Sequence, residues 1–152
     1  MTAPQPGKQG EPGVRLVMLI FSYYVPDYPP YSGQSVLVYL EGGGGCFDTE
    51  SCINRCTVAS PNLCTQDPAL VKSVWSEEEE ENPGMYTSYK VYVPYCTSDV
   101  YAGRRNADEA SAGYAFHGKF VVEAVVEDLL NNVLLEVYIP QFVLMGMSAG
   151  IV

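Results

Sequence analysis

Apolar residues gather in short runs separated by glycine, proline and acidic residues, and the form of each run predicts an element. Residues 14–24 are apolar, with β-branched and aromatic side chains, and predict one strand. Residues 25–33 hold three prolines and predict a loop. Ser-Val-Leu-Val-Tyr-Leu at 35–40 is continuous rather than alternating, as expected of a strand covered on both faces in a parallel sheet. Residues 90–95 predict a further strand, ended by Pro94. Across 113–130 the period changes. Phe116, Phe120, Val121, Ala124, Val125 and Leu129 recur at three- and four-residue spacing, with Glu123, Glu127 and Asp128 opposite, which predicts an amphipathic helix stopped by Asn131-Asn132. Residues 133–138 fit a strand or a loop equally. Residues 142–145, Phe-Val-Leu-Met, predict a short buried strand.

Between these runs, 46–67 predicts a polar loop and 68–75 a short helix. The five consecutive glutamates Glu77 to Glu81 predict a solvated loop turning at Asn82-Pro83-Gly84. Residues 1–13 predict a flexible tail, leaving 14–152 as one domain. Strand, long excursion, strand, helix, strand is an α/β order built on a mainly parallel sheet. In such sheets ligands meet the carboxyl ends of the strands. Two unusual segments fall there. The 35–40 strand runs into Glu41-Gly42-Gly43-Gly44-Gly45-Cys46, and the 142–145 strand into Gly146-Met147-Ser148-Ala149-Gly150.

The second segment fits Gly-x-Ser-x-Gly, the turn on which hydrolases present a serine nucleophile. Acyl transfer needs that nucleophile, a base, and N–H donors for the oxyanion formed as the carbonyl is attacked. Ser148 is the candidate nucleophile. The Ala149 N–H and those around Gly43 and Gly44 are the candidate donors. The only histidine, His117, lies inside the predicted helix and precedes the serine, so it reads as a helix residue rather than the base. A nucleophile and an oxyanion hole are thus expected without a base.

Charge and cysteines narrow the class. A formal net charge of -10 argues against nucleic acid and anionic membrane as partners, and no apolar run is long enough to span a bilayer. Four of the five cysteines, Cys46, Cys52, Cys56 and Cys64, fall within nineteen residues, which suggests disulfides and an oxidising compartment. A zinc site is the competing reading, disfavoured by the absence of a Cys-x-x-Cys knuckle. No clear secretory leader opens the sequence.

From about residue 35 to 150 the chain resembles the Notum and pectin acetylesterase family of α/β-hydrolase-fold carboxylesterases. The anchors are Leu40-Glu41-Gly42-Gly43-Gly44-Gly45-Cys46-Phe47 with Cys52, then Asn82-Pro83, then Val91-Tyr92-Val93-Pro94-Tyr95-Cys96-Thr97-Ser98-Asp99-Val100. Tyr114-Ala115-Phe116-x-Gly118 and the serine turn complete them. The resemblance implies ester hydrolysis on acetylated polysaccharide or acylated protein, without a cofactor or metal. It implies Ser148 as nucleophile, Gly43, Gly44 and Ala149 as oxyanion donors, a Cys46–Cys52 disulfide, and a secretory or extracellular location. The sequence departs from the family in having glycine where a tryptophan stands in the loop, at Gly44 or Gly45, and Ile151 where a further glycine follows the serine turn.

The family's acid and histidine belong to a C-terminal half. The expectation is therefore a partial α/β-hydrolase fold, truncated after the serine turn and inactive or nearly so by itself. Two alternatives are a non-catalytic form binding an acyl or glycan ligand, and a cysteine-cluster metal protein.

Overall fold

The structure, a computed structural model, describes residues 12–18, 21–55, 72–108 and 113–151. Five strands form one sheet in the order β1-β2-β4-β3-β5: β1 Pro12–Met18, β2 Phe21–Pro26, β3 Val36–Leu40, β4 Tyr89–Val93 and β5 Phe142–Gly146. The sheet is mixed. β1 pairs β2 and β2 pairs β4 antiparallel, whereas β4, β3 and β5 are mutually parallel. Every residue of β3 is buried, as its uninterrupted apolar run requires.

The single strand expected over 14–24 is two strands. β1 folds back on β2, a reversal that an apolar run cannot announce because both arms share the same composition. Residues 1–11, which carry most of the expected tail, lie outside the described residues, and β1 already begins at Pro12. The expected loop over 46–67 contains a helix, α1 Thr49–Asn54. A reciprocal cap starts it: the Asp48 carboxylate accepts the Ser51 N–H (2.7 Å), and the Ser51 hydroxyl accepts the Asp48 N–H (3.1 Å). Residues 56–71 are not described. The helix expected over 68–75 is seen as α2 Lys72–Trp75.

The long helix is shorter at its start than its periodicity implies. Arg105 and Phe116 exchange backbone hydrogen bonds of 2.8 Å, which holds 116 extended, so α3 runs Gly118–Asp128. It passes through Asn131-Asn132 as a π-helical turn, Leu129–Val133. Val121, Val125 and Leu129 pack into the core with Val36, Val38 and Leu40 of β3 and Val91 and Val93 of β4, whereas Phe120 is 44% exposed. Of residues 133–138, Val133 ends the π-helical turn and the rest form a turn and loop rather than a strand. The glutamate run is exposed.

β5 was expected to be buried and is not. Phe142, Leu144 and Met145 are 39%, 49% and 37% exposed, because β5 is the sheet edge beyond β3. Its backbone register is nevertheless complete, from Val36 opposite Phe142 to Leu40 opposite Gly146. That register decides the site. The chain leaves β3 at Glu41-Gly42 and β5 at Met147-Ser148, side by side at the carboxyl edge of the parallel strands.

Candidate active site

β5 ends in a short 3-10 turn, Ser148–Gly150. Ser148 has φ +56, a left-handed conformation that costs a residue with a Cβ about 1–2 kcal/mol. The turn is closed by the Gly150 N–H donating to the Met147 carbonyl (3.0 Å) and the Ile151 N–H to that of Ser148 (3.1 Å). Side chains are excluded on both sides of the serine. A Cβ on Gly146 would overlap the Gly150 carbonyl, and one on Gly150 would overlap the Leu40 carbonyl at the end of β3. The serine is exposed, while Ala149 is 5% exposed. The result is a serine displayed alone on a strained apex.

The glycine loop meets this apex through Gly42. A Cβ there would overlap the Met147 carbonyl oxygen and stand 3.2 Å from the Ser148 Cβ. Gly43 and Gly44 follow, both exposed, with Gly44 at φ +73. Cys46 closes the loop. It is disulfide-bonded to Cys52 of α1, as the resemblance implied, and its N–H donates to the Ser98 carbonyl (2.9 Å). A cleft of about 340 Å3, bordered by Gly45, Phe47, Val100 and Phe116, opens beside the disulfide.

Beneath the loop lies a buried polar layer. Glu41, 6% exposed, accepts the Tyr95 N–H on Oε2 (2.8 Å). Burial raises the Glu41 pKa above its ordinary 4.5. The Tyr95 N–H, the Tyr92 hydroxyl and the Arg55 guanidinium oppose that rise. The Tyr92 hydroxyl is near enough to feel the carboxylate but makes no hydrogen bond of good geometry among the described residues, and burial drives its own pKa up. The Tyr101 hydroxyl lies 3.1 Å from both the Glu41 and Val93 carbonyl oxygens and donates to them. The Tyr95 hydroxyl accepts the Val100 N–H (2.7 Å). Ser98, Val100 and Tyr101 all have positive φ, so these bonds hold a strained segment. Asp99 anchors its far side. Its carboxylate accepts the Tyr101 N–H and the Thr97 hydroxyl on Oδ1, and the Gly118 N–H that opens α3 on Oδ2 (2.7 Å).

Ser148, Ala149 and the glycine loop are thus brought to one sheet edge, as their sequence positions required. His117 is not part of that group. It precedes α3, and its Nε2 pairs with Asn106 Oδ1 at 2.9 Å. Among the described residues none hydrogen-bonds the Ser148 hydroxyl, and no group of three metal-ligating side chains forms; Cys56 and Cys64 lie outside them. The sequence reading missed Gly42 as the loop residue against the serine, and Glu41, Arg55, Tyr95 and Asp99 as its support. For Arg55 one signal existed: it follows Cys52 by three residues, and so shares its helical face.

A serine on a left-handed strand-to-helix turn, faced by a glycine loop from the adjacent parallel strand, is the arrangement of an α/β-hydrolase. The solved Wnt deacylase Notum from Drosophila shares this fold, with a TM-score of 0.68 and 30% identity, over 86% of this chain and 38% of that one. The chain belongs to the pectinacetylesterase family, whose model matches residues 21–152. Among relatives, the human palmitoleoyl-protein carboxylesterase NOTUM is 33% identical over 117 residues, which make up 75% of this chain and 23% of that protein. Xenopus laevis notum1, of the same description, is 37% identical over the same coverage. The chain therefore spans about a quarter of the length of the curated relatives it matches.

Proposed function

We propose that this chain is the nucleophile-bearing part of a serine carboxylesterase acting on an ester-bearing substrate, an acetylated polysaccharide or an acylated protein. The observation that carries the reading is the left-handed Ser148 held against Gly42 of the glycine loop. In the reaction, Ser148 Oγ attacks the ester carbonyl and its proton passes to a base. The N–H groups of Gly43, Gly44 and Ala149 stabilise the oxyanion. The tetrahedral intermediate collapses and the alcohol leaves with that proton. Water then cleaves the acyl-enzyme by the same steps, releasing the carboxylic acid and restoring Ser148. Relatives with carboxylesterase and deacylase names support this chemistry. The Cys46–Cys52 disulfide supports an oxidising, secretory or extracellular setting.

The base and its acid partner are proposed to come from polypeptide beyond these 152 residues, since His117 pairs with Asn106 instead. Loss of a base can remove about six orders of magnitude of rate. A fluorophosphonate probe tests both parts. The 152-residue chain is expected to label negligibly. A longer polypeptide that supplies a histidine and an acid is expected to label fast and to lose labelling in Ser148→Ala. Labelling that survives Ser148→Ala would refute Ser148 as the nucleophile. Fast, Ser148-dependent labelling of the 152-residue chain would refute the missing base.

A further inference from the structure

Arg55 is an arginine the fold has no ordinary use for. It is 4% exposed, yet among the described residues Nε and Nη1 have no hydrogen-bond partner. A buried, incompletely bonded guanidinium is penalised by desolvation, and an apolar side chain of similar size would avoid that penalty. Three contacts show what it is turned toward. Its guanidinium carbon stands 5.0 Å from the centroid of the Tyr95 ring. Its Nη2 would lie 3.3 Å from a Cβ on Gly43, and the Tyr95 ring edge 3.2 Å from the same point. The Glu41 carboxylate is close enough to feel its charge.

Helix α1 therefore grips the glycine loop at two places. Cys52 bonds Cys46 at the loop's far end, and one turn later Arg55 reaches under Gly43 in its middle. The intervening Ile53 and Asn54 face solvent. The other end of the loop is set by Glu41, bonded to the Tyr95 backbone. Four consecutive glycines have no conformational preference of their own. Their shape must be imposed from outside, and these contacts impose it.

We propose that Arg55 is a positioning residue of the esterase site: packed against the Tyr95 ring, it fixes Gly43 in the loop that faces Ser148 and places a positive charge behind the N–H groups there. This rests on Ser148 and the glycine loop forming one acyl-transfer site. The charge matters as well as the shape, because an oxyanion bound by those N–H groups is stabilised by any fixed positive charge behind them.

Backbone amide exchange of the 152-residue chain reads the loop without requiring turnover, so it fails independently of the Ser148 assignment. Arg55→Met keeps the stem and removes the charge. It is expected to speed exchange of the 42–46 amides about tenfold or more, with β3 and β4 protection unchanged, and Arg55→Lys is expected to recover much of the loss. Unchanged loop exchange in Arg55→Met, or an Arg55→Lys variant no better than it, would overturn the proposal. Should Arg55→Met also strip protection from β3 and β4, Glu41→Gln replaces it. That variant removes the carboxylate charge near Arg55 and is expected to loosen the same amides; no change there would equally overturn it. In an active form, Arg55→Met should lower kcat about tenfold at nearly constant KM, and a change confined to KM would count against it.

Discussion

Gly42 and Ser148 are in contact across the carboxyl edge of the sheet: a Cβ on Gly42 would stand 3.2 Å from the Ser148 Cβ and overlap the carbonyl oxygen of Met147. No side-chain rotation relieves that overlap, since the obstructing atom is backbone. Gly42→Ala must therefore move the serine turn or the loop. The expected result is a loss of about 1–3 kcal/mol in thermal unfolding. Gly84→Ala, where a Cβ meets nothing within 4 Å, is expected to be nearly neutral and serves as the control.

Asp99 links the strained 98–101 segment to α3. Asp99→Ala removes acceptors for the Gly118 N–H, the Tyr101 N–H and the Thr97 hydroxyl at once. A cost of about 1–3 kcal/mol is expected in urea unfolding. Hydrogen exchange should rise first in the opening turn of α3 rather than in β3.

Lys90 is buried within β4, with its Nζ donating to the Tyr86 carbonyl (2.9 Å). Burial lowers its pKa below the ordinary 10.5, with Glu77 acting the other way. The folded state thus holds the proton more weakly than the unfolded state. Its favourable contribution exists above 10.5 and is lost as pH falls through the lowered value, so at pH 7 only the burial penalty remains. Lys90→Met should accordingly raise Tm at pH 7 by a few degrees, corresponding to about 1 kcal/mol. The gain should shrink as pH approaches 10.5. A gain that is constant with pH would show that Lys90 carries no such penalty.

The Cys46–Cys52 disulfide spans six positions and closes a small loop. The chain-entropy gain from so short a loop is about 2 kcal/mol. Cys46→Ser/Cys52→Ser should lower stability by up to that amount and free α1 from the glycine loop. Amide exchange at 42–46 should rise more than at β4; a uniform rise across both would contradict a local role.

Much of the candidate site was legible along the chain because the residues proposed to carry its chemistry are contiguous. Gly146-Met147-Ser148-Ala149-Gly150 and the glycine run each announce a backbone shape, since small residues are needed where backbones meet. The continuous apolar run of β3 likewise announced a strand covered on both faces. The β1–β2 reversal was hidden inside one apolar run. The late start of α3 was hidden because a single backbone pairing, Arg105 with Phe116, overrode a good helical period.

The sequence by itself determined the α/β succession of elements, the glycine run and the serine turn. Those features depend on local backbone demands and on hydrophobic period. Only the tertiary structure decided that Leu40 pairs with Gly146, which brings Gly42 against Ser148. It alone decided that β5 is an edge with apolar residues exposed, and that Arg55 and Glu41 lie beneath the glycine loop. Those facts depend on which strands are neighbours and how deeply each group is buried, and contacts between distant residues leave no period in the chain.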